Sequence, residues 1–535
     1  MWLKRRKVEI LIFMMLFLAG ASFYHPVEYD NTKSRYFLLS ALVDYRTLNI
    51  DAYQQYTLDK SEWNGHYYSN KAPGASFLGV PVYWLLRELT PLTVSNGWFA
   101  LFIVRIVTTT LLFALLGVVM YRLAQFFGVS RRQALIMVIA YGFGSIALLQ
   151  ATLFSGHQIA ASLGFFSFAL LVRFSSKERM VEIKYWYYGF FAGLLAGFAV
   201  ITDYTAIVIA ICLAVYTVLS QMDVRMKTGF ILGGLVCVLI LAAYNMACFG
   251  HPFSSSYEHL VFNKFREGAE QGVFGAGLPK IEAIIGLLIS PSRGIFFIMP
   301  VLLFSFWGIV KMILRQQQRR EGLLIVSVSV LSFLFISGFY AWHGGWTFGP
   351  RYLVPMLPFL AFPIAFLRLR PGLFWLLFIP SCIQVVLSVA VFPHVTNLVV
   401  NPIMEFIIPL MIYGYTALNA GMLLHLPWPW SVITVIAIIV LLGVWAFRES
   451  SRDELPNAYD RIPSLGLIFP ALWICMIAAG IVFLKTYPPE TVHLSRSVVL
   501  TPAAITYNSP RLQRAAAFEK YLSDSATVTG SNSLR

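Results

Sequence analysis

The sequence predicts an all-α protein that threads a membrane many times, and three observations predict it. Hydrophobic residues make up 58% of the chain and charged residues only 12%, about half the charged share of a soluble domain. The mean hydropathy is +0.71. Apolar runs near the length that crosses a bilayer, about 20 residues, recur along the chain with short basic groups between them. The formal net charge of +15 is therefore topogenic. A nucleic-acid footprint would need a basic stripe on a soluble face, and there is none. Cys212, Cys237, Cys248, Cys382 and Cys475 sit in or at the end of apolar runs, with neither metal-ligand spacing nor a disulfide framework.

Residues 1–7 (MWLKRRK) precede an apolar run to Tyr24 that lacks a small-x-small cleavage site, which predicts an uncleaved first helix. About thirteen spans are expected on the length criterion. They lie near residues 8–24, 99–121, 134–153, 157–173, 186–202, 204–220, 228–247, 294–314, 322–341, 352–367, 372–392, 428–447 and 464–484. With the N-terminus in the cytoplasm every inner loop is basic. Those loops hold Lys4, Arg5, Arg6 and Lys7; Arg122, Arg131 and Arg132; Arg173, Lys177, Arg179 and Lys184; Arg225 and Lys227; Lys311, Arg315, Arg319 and Arg320; Arg368 and Arg370; Arg448, Arg452 and Arg461. The pattern holds only if residues 72–89 stay on one side, and Pro73, Pro81, Arg87 and Glu88 suit a helix lying in the interface.

Residues 1–485 thus form one transmembrane domain whose long segments, 25–97, 249–293 and 394–426, collect on the outer face. Gly272, Gly275 and Gly277 with Pro252, Pro279 and Pro291 mark 249–293 as a lid. The tail, 486–535, reads as a small extracytoplasmic helix and coil, too short for an independent domain.

Charge is scarce elsewhere, so the first outer loop needs a reason for Asp30, Asp44, Asp51 and Asp59 beside Lys33, Arg35, Arg46, Lys60 and Lys71. A partly desolvated carboxylate serves as a general base, and Lys or Arg holds a phosphate by charge-assisted hydrogen bonds. The plain alternative is a salt-bridged surface whose Tyr and Trp residues mark the interface. Three further places add candidates. His157 in L-F-S-G-H-Q caps a span, more often a structural than a catalytic position. Arg293 follows a Pro-Ser turn, and Trp342, His343, Trp346 and Arg351 crowd the short link at 340–353. Guanidinium groups bind phosphate bidentately at an interface. Snorkelling anchors are commoner in general, but here they concentrate inside. Arg105 is an intramembrane charge, with Asp203 as its partner or as a helix cap.

N-G-H-Y-Y-S-N-K-A-P-G (64–74), S-R-Y-F-L-L-S-A-L-V (34–43) and I-D-A-Y (50–53) resemble the first outer loop of the GT-C glycosyltransferases. The likeness is to the bacterial branch related to protein O-mannosyltransferases and lipid A aminoarabinose transferase. W-H-G-G-W-T-F-G-P-R-Y (342–352) resembles the W-x-G-G-x-x-F-G-P-R-Y segment of the same branch. The resemblance implies a GT-C-like fold with interfacial helices in the first outer loop. It also implies an acidic loop residue as base and Lys71 on the donor phosphate, since K-A-P-G-A-S-F resembles the branch's K-P-I-A-G-Y. The family's D-E-x-R motif is replaced here by Y-D-N-T-K-S-R, so Asp51 and Asp30 rank together as base, then Asp59, then Asp44. Arg35, Arg293, Arg351, His343, Trp346, Tyr68 and His157 complete the expected substrate and phosphate contacts.

The implied activity is inverting transfer of a single sugar from a polyprenyl phosphate to a hydroxyl or amine. The acceptor is a glycan, lipid or protein at the outer face of the bacterial inner membrane, among membrane lipids and without nucleic acid. The chain has no Gly-rich phosphate loop, and nucleoside diphosphate sugars are absent outside the cytoplasm, so the donor must be lipid-carried. No cofactor is expected, although a divalent metal stays possible because oligosaccharide-transferring relatives use one. Two other classes stay open. A transporter or flippase would place polar groups at the midplane of two related halves, and a scaffold would leave Lys71 and Arg351 free to change.

Overall fold

A helix that is apolar on every side needs apolar surroundings, protein or lipid, on every side, and the first helix of this chain is one. In the computed structural model, residues 6–25, 29–90, 97–174, 182–451, 468, 470–475, 489–506 and 510–532 are described. The helices are α1 (Lys7–Ala21), α2 (Asp30–Asp44), α3 (Gly74–Leu89), α4 (Gly97–Phe126), α5 (Arg131–Gly144), α6 (Gly156–Phe174), α7 (Glu182–Thr202), α8 (Tyr204–Leu219) and α9 (Val224–Phe249). There follow α10 (Ile281–Ile289), α11 (Pro300–Leu314), α12 (Arg319–Ser337), α13 (Arg351–Phe366), α14 (Pro371–Ala390), α15 (Trp430–Ser450), α16 (Pro489–Thr506) and α17 (Pro510–Asn532). Short antiparallel pairs join β1 (Phe23–Tyr24) to β4 (Leu418–Asn419) and β2 (Lys60–Trp63) to β3 (His66–Ser69).

Among the described residues, 7 helices are long and apolar enough to cross a membrane, namely α4, α6, α7, α9, α12, α14 and α15. The chain is therefore an integral membrane protein. Helices α8, α11, α13 and the segment Pro402–Ile412 are apolar but shorter. Of the expected span at 464–484 only residues 468 and 470–475 are described, and Lys4, Arg5, Lys177, Arg179, Arg452 and Arg461 lie outside the described residues.

Helix α1 is wrapped by α4, α5 and α15. Leu16 is fully buried because Gly117 of α4 and Gly142 of α5 leave room for it. A Cβ at either glycine would lie 2.2 or 2.4 Å from a Leu16 methyl. Polar contacts close one end of this group. Lys7 lies 3.8 Å from Glu449, Glu9 pairs with Arg122, and Arg132 stands over the Phe447 ring. At the other end the β1–β4 pair ties the chain leaving α1 to the chain entering α15.

Helices α7 and α9 meet through glycines four residues apart. Gly189 and Gly193 of α7 face Gly229 and Gly233 of α9 so closely that a Cβ at Gly193 would fall 1.9 Å from the Phe230 carbonyl oxygen. With no hydrophobic drive between helices in lipid, such small-residue stripes let backbones approach and gain dispersion contact. The site-bearing end carries α2 against α3, with the β2–β3 hairpin beside them. Asp44, at the end of α2, is taken up structurally by the hydroxyls of Tyr53 and Tyr83 and by Arg87. Gly74 lets the start of α3 touch the end of α7, since a Cβ there would sit 2.5 Å from the Thr202 hydroxyl oxygen. That contact fixes where Lys71, three residues earlier, emerges. In the tail α16 and α17 pack together, and Glu519, fully buried, is held by Tyr413, His493 and Arg496.

Candidate functional site

Two adjoining cavities open between the first loop, the lid and the helix ends, with Lys71 on their shared wall and further charged side chains on either side of it. One, about 510 Å³, is mostly apolar and is lined by Val238 and Leu241 of α9, Phe335 and Ile336 of α12, and Val273 and Phe274 of the lid. The other, about 640 Å³, is polar and aromatic, with Asp30, Asp59, Lys264, His343, Trp346 and Arg351 on its walls. Asn31, Lys71, Tyr257, Phe339 and Tyr352 line both.

Lys71 stands at the junction. Its Nζ lies 3.0 Å from Asp59 Oδ2, with side chains only 14% and 8% exposed. Serine hydroxyls hold this corner. Ser34 bonds Ser69 at 2.8 Å, and Ser61 donates to the Ser256 carbonyl oxygen at 2.6 Å, joining α2, the hairpin and the lid. Arg35 is buried, donates to the Asn31 carbonyl oxygen at 3.0 Å and lines the apolar cavity. Arg351, at the start of α13, lies against the Tyr352 ring and within electrostatic reach of Asp59, Asp203 and Arg35. Asp30 opens α2 on the polar side. Thr57 fixes its carbonyl oxygen at 3.2 Å, while its carboxylate joins no hydrogen bond or ion pair among the described residues.

Arg293, only 1% exposed, instead spends its guanidinium on backbone carbonyl oxygens, donating to His343 at 2.5 Å, Gly345 at 2.8 Å and Val395 at 3.3 Å. It braces the 340–350 turn, which needs the left-handed Gly344 and Gly345 (φ 74° and 65°) to bring those carbonyls together. Behind Arg351 it supplies field rather than contact. Burial, then Arg293, Arg351 and Lys264, push His343 down to about 4. His343 is thus neutral near pH 7, and its Nδ1 accepts from the Gly345 amide at 2.9 Å. Trp346 packs on Tyr29 at the polar wall.

Asp51 and Tyr68 lie outside both cavities. Asp51 is half-exposed and braces the hairpin, bonding His66 Nδ1 at 2.7 Å and the Tyr67 amide at 2.6 Å. Tyr68 is buried against Phe249. Arg105 is buried and donates to the Gly20 carbonyl oxygen at 2.7 Å, at the end of α1. His157 lines the apolar cavity and pairs with Asp203, the α8 cap, so Asp203's partner is His157 rather than Arg105. Tyr257 was not singled out from sequence, since an interfacial tyrosine gives no spacing signal, and Tyr352 closes the 342–352 motif but was given no role there. Among the described residues no group of 3 or more His, Cys, Asp and Glu side chains is placed to hold a metal ion.

No family model matches the chain, and no curated protein matches it at the significance required. Solved structures do match. The crystal structure of ArnT from Cupriavidus metallidurans bound to undecaprenyl phosphate is similar over 93% of this chain and 78% of that one, at 15% identity and a TM-score of 0.47. The same ArnT in the apo state is similar over 88% and 76%, at 15% identity and 0.45. The apo oligosaccharyltransferase of Archaeoglobus fulgidus is similar over 85% of this chain and 57% of its own, at 11% identity and 0.45. ArnT is a lipid A aminoarabinose transferase, and both enzymes are of the GT-C class.

Proposed function

We propose that this chain is an inverting GT-C glycosyltransferase that moves a single sugar from a polyprenyl phosphate to an acceptor hydroxyl or amine at the outer face of a bacterial inner membrane. One observation carries the reading: where a mostly apolar cavity meets a polar, aromatic one stands half-buried Lys71, with buried Arg35 on the apolar side and half-buried Arg351 on the polar side. A lipid-linked sugar has that same order of chemistry, a hydrocarbon chain, then a phosphate, then a sugar. The chain lies in the apolar cavity, Lys71, Arg35 and Arg351 take the phosphate, and the sugar and acceptor meet between Trp346, His343 and Asp30. Undecaprenyl phosphate, bound in the ArnT structure, belongs to this class of lipid.

The chemistry then follows from the groups present. The acceptor oxygen or nitrogen attacks the anomeric carbon, and its proton passes to the unengaged Asp30 carboxylate. The bond from that carbon to the phosphate oxygen breaks with its electron pair going to the phosphate. The three cations stabilise the charge that develops there. Asp59 positions Lys71 through their ion pair. Phosphate neutralisation by side chains needs no metal, and none is proposed. The acceptor remains a glycan, lipid or protein.

The test is transfer in membranes from polyprenyl-phosphate sugars to endogenous acceptors. Asp30→Asn should lower kcat by about 10²- to 10⁴-fold, the range for losing a general base, with donor KM little changed. Asp59→Asn should chiefly raise donor KM. Full activity in both variants overturns the assignment.

A further inference from the structure

The turn between α7 and α8 holds a carboxylate that this chemistry does not use. Asp203 is 6% exposed. One of its oxygens accepts from the Thr205 amide at 3.0 Å and hydroxyl at 2.8 Å, and the other is bonded to His157 Nδ1. His157, in the first turn of α6, is 5% exposed, and its Nε2 has no hydrogen-bond partner among the described residues. Both side chains line the apolar cavity beside Arg35 and Lys71. The charged and titratable groups facing the imidazole come from several elements: Asp203 from the turn, Arg35 from α2, and Arg351 and the Tyr352 ring from α13. Lys71 and Tyr257 stand on the same cavity wall.

The pairing decides what Nε2 offers. A neutral imidazole that gives its Nδ1 proton to Asp203 keeps only a lone pair on Nε2, and a lone pair repels an anion. A second proton turns Nε2 into a donor, and the carboxylate behind it stabilises the imidazolium so formed. We infer that an incoming phosphate oxyanion is bound with uptake of a proton by His157, which then donates a hydrogen bond from Nε2. This rests on the reading of the cavity as a lipid-phosphate site and deepens it. His157 touches the ligand, while Asp203 is a positioning residue that fixes the tautomer. Lipid phosphate is consequently held more tightly as pH falls, through a group distinct from Lys71, Arg35 and Arg351.

The experiment titrates the full chain in nanodiscs with undecaprenyl phosphate across the neutral pH range, comparing wild type with His157→Gln and Asp203→Asn. Glutamine keeps an N–H donor that cannot titrate, and the phosphate's own titration is common to all three proteins. Wild-type affinity should fall about tenfold per pH unit more than that of His157→Gln above the imidazole's pKa, the slope for one linked proton. Asp203→Asn should move that fall to lower pH, a shift that a purely structural role would not produce. Equal pH dependence in wild type and His157→Gln overturns the inference, as does an unshifted profile in Asp203→Asn. Absence of wild-type binding at every pH overturns the lipid-phosphate reading beneath it.

Discussion

Asp51 and Asp59 show how two similar residues in one loop come to different ends. Both lie within three residues of a tyrosine in sequence, yet Asp51 meets solvent and His66, whereas Asp59 is 6% exposed and faces Lys71. The sequence shows that a carboxylate is present. Which one is desolvated depends on a hairpin register and a serine contact to the lid, neither written in local spacing. Lys71 was legible through the resemblance of K-A-P-G-A-S-F to K-P-I-A-G-Y, and the structure adds a local reason: the proline precedes α3 and the glycine permits close approach to Thr202. Histidines give a testable pH dependence at this scale. Burial, then nearby cations, hold His343 down to about 4 and, through Arg351, His394 down to about 3. An unfolded histidine titrates near 6.5, so between about 6.5 and 4 the unfolded chain binds protons that the folded chain refuses. Stability should therefore fall as pH drops through that window. The melting temperature in detergent, followed downward from pH 7, should show it, and His394→Asn should flatten the slope. A melting temperature that rises on acidification, or an unchanged slope in the variant, contradicts this account of the turn.

At the scale of elements, seven of the expected apolar runs among the described residues are helices long enough to cross a membrane, because a segment inside hydrocarbon must satisfy its backbone internally. They said less about which helices touch. The α7–α9 contact was readable as glycines at 189, 193 and 197 and at 229 and 233, but hydropathy averages over a helix and hides a one-residue-wide face. The prediction uses neighbouring glycines as their own control. A Cβ at Gly193 meets the Phe230 carbonyl at 1.9 Å, whereas one at Gly234 meets nothing nearer than 3.9 Å. Gly193→Ala should destabilise the protein by about 1–3 kcal/mol, the usual range for overpacking. Gly234→Ala should be neutral or mildly stabilising through helix propensity. Thermal unfolding of the two variants side by side decides it, and equal stability would mean that the helices are not in this contact. The tail was harder to read. Its Ser, Thr and Ala content suggested coil beside a small helix, and its anchor, Glu519, draws Tyr413 from 106 residues away.

For the whole molecule, the site is an assembly of distant segments. The shared wall takes Asn31 and Lys71 from the first loop, Tyr257 from the lid, and Phe339 and Tyr352 from either side of the 340–350 turn. Motifs in two of these stretches pointed to a common chemistry, but their meeting depends on how the helices between them pack. Helix ends and the lid together enclose an apolar cavity of about 510 Å³ and a polar one of about 640 Å³, with Lys71 at their join, Arg35 on one side of it and Arg351 on the other. The central claim is that a polyprenyl phosphate occupies that join, and native mass spectrometry of the protein purified from bacterial membranes tests it most directly. The account predicts an adduct with the mass of a polyprenyl phosphate on the wild-type chain, lost from a monodisperse Lys71→Gln, Arg351→Gln variant. A wild-type protein free of such an adduct, or a variant that keeps it undiminished, would contradict the account.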